Sequence, residues 1–485
     1  MRYISLKSLS FATRPALAAL VLGTGMSGCT LATEHPELGL NIPDKYREQQ
    51  TRAPDAAVPA LEWWRGFRSQ ELTSLMEDAQ TRNLDVAAAI AQIAQADAQV
   101  GVSGAALLPT VTGTAMAERV RDPGGAGMSS QFNLGLTGSY MVDFWGKNRA
   151  SLYAAEESAT VARYNREVVT LTTMVTVANT YFQILAAQDQ LRIARHDLGA
   201  AERILGLIKQ QFNAGTASQL DLSQQEALVS TQRASIPPLE VTLRQNIAAL
   251  AVLVARAPVN FKVLGGSTTQ IAVPRVTPGL PSELLNQRPD IRQAEAQLAS
   301  SNFSVEAARA AFFPQIPLTG QTGFQSAALA SLFGPGAWFY TLAANMTQPI
   351  FDGFLLESQL KQAKGVQLEN LQAYRKAVLS AFADVEKALV ALQQFTLQEG
   401  LQTKVVTSSR RAFDVAETQL RAGTVNQITV LQTQQTLFTA ENTLVQVRLS
   451  KLLAVSSLFQ ALGGGWTPQK ALPSLQPSTP ANVPS

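Results

Sequence analysis

The chain changes twice from a helical pattern of apolar residues to a strand pattern, each time at a proline. Before Pro314 an alanine-rich stretch has helical spacing, and after it Ile316, Leu318 and Phe324 alternate with glutamines and threonines. The same change occurs at Pro109. A proline ends a helix and a period of two residues is that of a β-strand. Both segments therefore predict a helix that leads directly into a strand.

These two segments belong to an internal tandem duplication. Four blocks recur in the same order at offsets of 205 to 210 residues; Asp85 recurs as Asp290, and the peptide FNAGTASQLDLSQQ recurs as LRAGTVNQITVLQT. Because repeats of this kind decide the architecture of a chain, the two halves are expected to share one fold.

Each half is predicted to contain a pair of strands, at about 110–143 and about 315–351. In the second strand, Phe132, Leu134 and Tyr140 alternate with polar residues. Apolar-out and polar-in alternation over about ten residues is typical of outer-membrane β-barrels. Four strands per chain are too few to close a barrel, which needs about eight. The strands therefore form a soluble sheet, or several chains pool them, and three chains would supply twelve.

A long helical hairpin is predicted after each strand pair. Apolar residues at alternating three- and four-residue spacing, beginning at Val161 and at Leu371, indicate coiled-coil seams. The proline-free stretches 146–215 and 353–423 would each form a helix about 100 Å long, at about 1.5 Å per residue. Each stretch ends in an Ala-Gly-Thr tip, from which a return helix is expected to start.

Two further details of the helices are predicted from local residues. The first helix is expected to run from about Glu71 to Leu107. Pro237-Pro238 is expected to interrupt the first return helix after Ser235, because proline lacks the backbone N–H that an α-helix needs.

Residues 1–28 have the features of an export signal. Three basic residues and no acidic residue precede an apolar run and a stretch of small residues. The sequence Met26-Ser27-Gly28-Cys29 resembles a bacterial lipobox, so we expect Cys29 to become a lipidated first residue of the mature chain. The alternative is a plain secretory signal followed by an incidental cysteine. The Trp63-Trp64 pair in the arm that follows is interpreted as a packing anchor.

Composition excludes several classes of function. Without the signal, 36 acidic residues balance the remaining basic ones, and only 15% of residues are charged, so nucleic-acid binding is not expected. Beyond Cys29 the longest apolar run, Ile247 to Ala255, is far shorter than the ~20 residues of a membrane helix. Two histidines and one cysteine cannot build a usual metal cluster, and neither a GxSxG elbow nor a P-loop occurs. We expect no enzymatic activity, metal or other cofactor, apart from the lipid on Cys29.

Several motifs resemble one protein family. The peptides RPDIRQAEAQL and ARAAFFPQIPLTG, the FDG after the fourth strand and the RAGT tip are similar to the TolC-like outer membrane factors of bacterial tripartite efflux systems. The resemblance is to the lipoprotein branch that includes OprM and NodT, and it covers about residues 60–465. It implies an α+β fold and a homotrimer. Its twelve-stranded transmembrane β-barrel, with four strands per chain, would continue into a long α-helical coiled-coil barrel with a mixed equatorial domain.

The resemblance also implies a domain layout. We predict a signal peptide (1–28), a lipidated arm (29–68), a first repeat (69–256, tip near 215), an equatorial linker (257–285), a second repeat (286–465, tip near 423) and a C-terminal tail (466–485).

The function implied is a passive exit duct in the bacterial outer membrane with a large periplasmic portion. It would carry drugs, solvents and toxic compounds, and would work with a periplasmic adaptor and a proton-driven inner-membrane pump. Val425 stands where relatives often carry an aspartate, so a charged constriction ring is not expected. The candidates for the periplasmic tip or gate are Gly215, Thr216, Asp221, Arg421, Gly423, Thr424, Asn426 and Gln427, and those for the barrel lumen are Gln131, Asn133, Thr137, Thr341 and Asn345.

Two alternatives remain open at this point. The first is an outer-membrane duct for protein secretion, although the lipobox favours efflux of small molecules. The second is a periplasmic coiled-coil lipoprotein with a structural role and no pore.

Overall fold

The structure is a computed structural model that describes Gly39 and residues 61–121, 128–276 and 281–466. The predicted signal peptide, Cys29, most of the N-terminal arm and the tail beyond residue 466 lie outside the described residues.

Each half of the chain runs from a helix through two strands to a long helix and a return helix. The helices are α1 (Gln70–Arg82), α2 (Leu84–Ala105), α3 (Lys147–Asn213), α4 (Gln219–Leu253), α5 (Pro281–Gln287), α6 (Pro289–Ala310), α7 (Leu355–Arg421) and α8 (Gln427–Ala461). The strands are β1 (Thr110–Arg121), β2 (Met128–Val142), β3 (Ile316–Ser326) and β4 (Trp338–Ala344). The two long helices, α3 and α7, each contain 67 residues. The predicted α+β fold, with four strands per chain and two long helical hairpins, is confirmed.

The prediction of one helix from Glu71 to Leu107 was wrong. The segment forms two helices, α1 and α2, that are separated at Asn83. The Asn83 Oδ1 atom accepts hydrogen bonds from the backbone N–H groups of Asp85 and Val86, at 2.9 and 3.0 Å. Because an asparagine at this position satisfies the free N–H groups of a new helix, it starts α2 and ends the continuity with α1.

The prediction that Pro237-Pro238 interrupts the first return helix was also wrong. Helix α4 continues through both prolines to Leu253. The prolines remove the hydrogen bonds that the carbonyl groups of Arg233 and Ala234 would accept. All four residues are exposed, so water can solvate the freed carbonyl groups and the helix continues.

The four strands form one antiparallel sheet in the order β1-β2-β3-β4. The pairing register gives the sheet two faces of different chemistry. The first face carries mostly polar residues, such as Asn133 opposite Gln325. The second carries mostly apolar residues, such as Leu134 opposite Phe324. Both outer strands, β1 and β4, have one edge unpaired within the described part of the chain.

The described chain divides into two compact units. One is formed by Ala94–Thr160 and Glu295–Ala373 and contains the sheet. The other is formed by the described parts of Gly39–Ile93, Val161–Ala294 and Tyr374–Ser485 and contains most of the helical hairpins. In this second unit Trp63 and Trp64 are buried, and Trp63 stacks on Phe459 with ring centroids 4.9 Å apart. The tryptophan pair is therefore a packing anchor, as predicted.

One described helix, α3, contains an 18-residue window that is long and apolar enough to cross a membrane. The sequence-based expectation that no such segment follows Cys29 was therefore too strict. More than half of this window, 56%, is buried inside the protein. Apolar side chains of α3, including Val177 and Phe182, belong to the main core of the second unit.

A buried side chain clasps the end of each return helix. In the first repeat, the Asn83 side-chain amide donates to the Leu253 carbonyl oxygen at 2.8 Å. At the equivalent place in the second repeat, the Arg288 guanidinium donates to the Ala461 carbonyl oxygen at 3.2 Å. These carbonyl groups lie in the last turn of a helix, where no intrahelical N–H is available to them. The two repeats therefore share one clasp and build it from different residues.

The turn beyond each clasp requires a left-handed residue. Ala255 has φ 52° and Gly463 has φ 85°. The backbone N–H of the next residue, Arg256 or Gly464, donates to a carbonyl oxygen five residues earlier at 2.8 Å. This hydrogen bond closes the turn. A β-carbon added to Gly463 would lie 2.2 Å from the Gln287 carbonyl oxygen, so this position tolerates only glycine. The first repeat uses an alanine at the equivalent position, at a conformational cost.

The Ala255→Gly variant is expected to be more stable than the wild type by a few tenths to about 1 kcal/mol. Glycine relieves the left-handed strain but loses part of the gain through its more flexible unfolded chain. Thermal and urea unfolding of the detergent-solubilised protein, followed by circular dichroism, would measure the change. The Ala257→Gly variant is the control, because Ala257 has an ordinary φ of −64°; equal stabilisation of both variants would contradict the prediction.

Candidate gate and channel lining

Each long helix ends in the same tight turn. The glycines at the turns, Gly215 and Gly423, have φ angles of 74° and 72°. The following threonine, Thr216 or Thr424, donates both its backbone N–H and its hydroxyl to one carbonyl oxygen five residues earlier, at 2.9–3.1 Å. The predicted tip residues therefore hold the turns by local hydrogen bonds, and both tips have one geometry.

The predicted gate residue Asp221 starts helix α4. Its carboxylate accepts hydrogen bonds from the backbone N–H and the hydroxyl of Ser218, at 2.9 and 2.7 Å. The Ser218 hydroxyl in turn accepts from the backbone N–H of Asp221 at 3.1 Å, which completes a capping box. The hydrogen bonds from the Ser218 hydroxyl and backbone lower the pKa of Asp221 below its usual value. The side chain therefore acts within its own hairpin.

Two other predicted gate residues, Arg421 and Asn426, also make local contacts. The Arg421 guanidinium pairs with Glu417 one turn earlier, at 2.6 Å, and its side chain is 61% exposed. The Asn426 side chain caps helix α8 by accepting from the backbone N–H of Thr429 at 3.0 Å. Exposed pairs one helical turn apart contribute only about 0.3–0.5 kcal/mol.

The side chain of Gln427 connects the two hairpins. It is buried in the second hairpin and donates to the Asp221 carbonyl oxygen of the first hairpin at 2.9 Å. A longer contact of 3.4 Å joins it to Gln225 Oε1. The Gln225 amide then donates to the Ala201 carbonyl oxygen at 2.9 Å. A buried chain of amides thus runs from α8 through α4 to α3 near the tips.

Sequence reasoning missed Gln225 and the two glutamines that follow the chain at heptad spacing. Gln232 and Gln434 are each 2% exposed, and the Gln434 amide reaches the Asp197 carbonyl oxygen at 3.4 Å. The signal that could have found these residues is a glutamine every seven positions, 225 and 232 or 427 and 434, within an otherwise apolar seam.

An apolar cluster also joins the two hairpins near their tips. It contains residues of both hairpins, including Ile204 and Ile208 from α3 and Phe413 and Leu420 from α7. Val425 is partly buried against this cluster. Val425 therefore contributes to the packing between the hairpins. This role explains why a valine stands at the tip position where the family resemblance suggested an aspartate.

A salt bridge links the two helices of each hairpin. The acid is on the long helix in the first repeat and on the return helix in the second. In the first hairpin Glu202 on α3 pairs with Arg233 on α4 at 2.6 Å. At positions 208 residues later, Arg410 on α7 pairs with Glu441 on α8. Glu441 is buried, so the second bridge places a carboxylate inside the helical unit.

Asp197 faces this buried carboxylate. Its side chain is 4% exposed, and its Oδ2 atom accepts no hydrogen bond from the described part of the chain. The charged and titratable groups around it are Glu441, Arg410 and His196, whose Nδ1 lies 3.6 Å from Asp197 Oδ1. Burial and the negative charge of Glu441 raise the pKa of Asp197 to about 6, although His196 and Arg410 oppose the shift.

The register of the sheet places all five predicted lumen residues on its polar face. Gln131, Asn133 and Thr137 alternate along β2, and Thr341 on β4 shares a β3 partner with Thr137. Asn345 lies one residue beyond β4, and its backbone N–H donates to the Pro317 carbonyl oxygen at 3.1 Å, which continues the alternation. These side chains therefore form one polar surface that several strands share.

A family model described as "Outer membrane efflux protein" matches residues 75–256 and 280–464. The chain belongs to this family. The two matched segments correspond to the two repeats, and the family is one of channels, so the chain is an outer-membrane efflux channel without enzymatic activity. It is located in the bacterial outer membrane and has a large periplasmic part.

Several known proteins are similar to this efflux channel over nearly its whole length. The pyoverdine export outer membrane protein OpmQ of Pseudomonas aeruginosa is 37% identical over 96% of this chain and 98% of its own length. The toluene efflux pump outer membrane protein TtgC of Pseudomonas putida is 30% identical over 96% of this chain and 97% of its own length. The crystal structure of the open state of the Neisseria gonorrhoeae MtrE outer membrane channel superposes with a TM-score of 0.80 at 28% identity, over 90% of this chain and 98% of that one.

We expect the Asp197→Asn variant of the efflux channel to lose a pH dependence of stability. The pKa of Asp197 rises from 3.8 to about 6 on folding. The stabilisation from its protonated form is therefore fully present below about pH 3.8 and is lost as the pH rises through about 6. The stability gained by the asparagine variant should accordingly be about 2 kcal/mol greater at pH 7 than at pH 4.

Unfolding of detergent-solubilised wild type and variant at a series of pH values would measure this difference. The matched control is Asp414→Asn, since Asp414 is exposed on α7. A stability difference for Asp197→Asn that stays constant with pH would contradict the buried-acid interpretation.

Proposed function

We propose that three copies of this chain form a passive exit duct for small molecules. The observation that carries the proposal is the sheet, which has one polar face, one apolar face and two edges that no other described strand pairs with. A sheet of four strands cannot close on itself, whereas twelve strands make a barrel wide enough for an aqueous lumen. Pairing β1 of one copy with β4 of the next would satisfy both edges.

The two faces of the sheet have the chemistry that such a barrel requires. Polar side chains around Asn133, Thr137 and Thr341 would line a water-filled lumen. The apolar face would contact lipid, with Trp338 and Tyr340 in an interfacial aromatic belt. Flow through the lumen would be passive, driven by the systems that load it from the periplasm.

The partners of the duct would be a periplasmic adaptor and a proton-driven inner-membrane pump. The hairpin tips at Gly215 and Gly423 are the proposed docking and gating region. The relatives named for pyoverdine export and toluene efflux support a small-molecule cargo. The pump rather than the duct would select the cargo.

The closed gate would depend on contacts between the hairpins. Gln427 is the predicted gate residue whose side chain bridges them, whereas Asp221, Arg421 and Asn426 contact their own hairpins. Opening would then be a population shift between two packings of the hairpins, in which the buried amide chain separates.

We further propose that Cys29 carries a covalent N-terminal lipid, palmitate among its acyl chains, after removal of residues 1–28. The support is the lipobox-like sequence Met26-Ser27-Gly28-Cys29. The lipid would add a second membrane attachment to the barrel.

The duct is tested by planar-bilayer conductance of the purified protein together with its oligomer mass. A trimer with small, mostly closed conductance is expected. A monomer or dimer without conductance would contradict the proposal and leave a structural role. Passage of a folded protein through the open pore would instead favour a secretion duct.

The Gln427→Ala variant is expected to open more often than the wild type. The substitution removes the 2.9 Å bond to the first hairpin, and a net hydrogen bond contributes about 1 kcal/mol, so the ratio of open to closed time should rise by up to about fivefold. Single-channel recording would measure this ratio. The control is Arg421→Ala, which removes a pair within one helix whose arginine is exposed and should change the ratio by less than about twofold. An unchanged ratio in the glutamine variant would place the gate elsewhere.

The Cys29→Ser variant is expected to lose its lipid while keeping the barrel. Labelling with radioactive palmitate should disappear, because the serine cannot form the thioether that holds the lipid. The fraction of trimer in the outer membrane should fall by less than about half, since barrel insertion does not depend on one acyl anchor. Mass spectrometry of the mature N-terminus would check the modification, and an unlabelled wild-type protein would contradict the lipid proposal.

A further inference from the structure

Two arginines interrupt the apolar face of the sheet at the far end of β1. By register, Arg119 pairs with Ser130 and Arg121 with Met128. Both therefore lie on the face that carries Phe132, and both are exposed. The opposite, polar face carries Glu118, which pairs with Gln131.

The register also gives the level of these arginines relative to the aromatic residues. Phe132 pairs with Ala117, so Arg119 is the next outward-facing residue beyond it and Arg121 is the one after. At about 3.3 Å per residue, Arg119 lies about 7 Å past the row of Phe132, and Arg121 about 7 Å further. Trp338 of the proposed aromatic belt pairs with Phe324, which pairs with Leu134, so Trp338 lies one outward-facing row before Phe132. An aromatic belt marks the membrane–water interface, so both arginines lie beyond it, at the level of lipid headgroups. Arg121 ends β1 at the end of the sheet opposite to the one where α2 leads into β1 and α3 follows β2. In the proposed barrel this end is the outer side of the membrane.

The strands themselves offer no carboxylate to these two cations. Glu118, Arg119 and Arg121 are the charged residues within the four described strands, and Glu118 points to the other face. The segment 316–344, which forms β3, β4 and their connection, contains no charged residue. A second copy that adds its β4 to the edge of β1 would therefore bring no acid to them. The one acid of the adjoining β1–β2 connection, Asp122, lies outside the described residues.

We propose that Arg119 and Arg121 bind the phosphate groups of a phosphorylated glycolipid in the outer leaflet of the membrane. This inference rests on the barrel of the proposed function. A guanidinium forms two parallel hydrogen bonds to a phosphate, which favours arginine over lysine at such a site. Arginine on the lipid face of a barrel is strongly destabilising at the bilayer midplane and costs little near the interface. The position at the headgroup level and the excess of positive charge therefore fit an anionic lipid.

The test is lipid binding by the full-length trimer in detergent, measured by native mass spectrometry with bisphosphorylated lipid A. The Arg119→Gln/Arg121→Gln variant should bind about 25-fold more weakly, since each arginine near a charged membrane surface contributes about a factor of five. The Arg119→Lys/Arg121→Lys variant keeps both charges and should recover part of the binding. Wild-type protein should prefer bisphosphorylated lipid A over its dephosphorylated form, and free inorganic phosphate should not displace it at equal concentration.

A matched control removes two positive charges elsewhere. Lys404 and Arg411 are exposed on α7, so Lys404→Gln/Arg411→Gln should leave lipid binding unchanged. Equal binding by wild type and the Arg119→Gln/Arg121→Gln variant, or equal binding of phosphorylated and dephosphorylated lipid, would overturn the inference. Planar-bilayer conductance separates this result from failure of the duct: a variant that conducts normally still forms the channel, whereas a wild type without conductance would contradict the proposed function itself.

Discussion

The helical part of this channel depends on satisfying the carbonyl groups at the end of each return helix. The hydrogen bond to the Leu253 carbonyl is partly buried and the one to the Ala461 carbonyl is buried, and each repeat supplies one buried side chain for the purpose. In the first repeat the side chain is Asn83, which also starts α2, so one residue serves two helices. In the second it is Arg288, whose guanidinium pairs with Asp290 at 2.7 Å and with Asp384 at 3.3 Å. A buried arginine is tolerated only when its charge is matched, which explains why two aspartates accompany it.

The duplication has preserved geometry more closely than chemistry. The tip turns have nearly equal φ angles, and the hairpin salt bridges occupy equivalent positions with opposite polarity. The reversal has a consequence for the interior, because it places the Glu441 carboxylate opposite Asp197. No equivalent acid pair arises in the first hairpin, where Glu202 is on the long helix and its side chain is 43% exposed. The two hairpins of one chain are therefore electrostatically distinct although their backbones follow one plan.

Local signals explain how much of this structure could be predicted from the sequence. The strand positions, the polar face and both tips follow from prolines, glycines and period-two alternation, which act over a few residues. The break at Asn83 has a local signal, the asparagine that caps α2, but its hydrogen bond to Leu253, 170 residues away, could not be predicted in this way. Likewise, the role of Gln427 requires knowing that its amide meets the Asp221 carbonyl oxygen, 206 positions earlier in the chain. The prediction that the prolines of α4 interrupt the helix was wrong for the opposite reason. Proline is a strong local signal for a helix end, but water can solvate the freed carbonyl groups and the helix continues.

Those prolines also give the two hairpins different stiffness. Helix α4 lacks two backbone hydrogen bonds, because residues 237 and 238 are prolines. The equivalent positions of α8 are Val445 and Gln446, which keep their backbone hydrogen bonds. Bending α4 at this point breaks no further hydrogen bond, whereas bending α8 at the matching point would. Each chain thus contains one compliant return helix and one stiff one. In a ring of three such chains, hairpins with a compliant return helix would alternate with hairpins whose return helix is stiff. The six hairpins of the ring would therefore bend by different amounts under the same force.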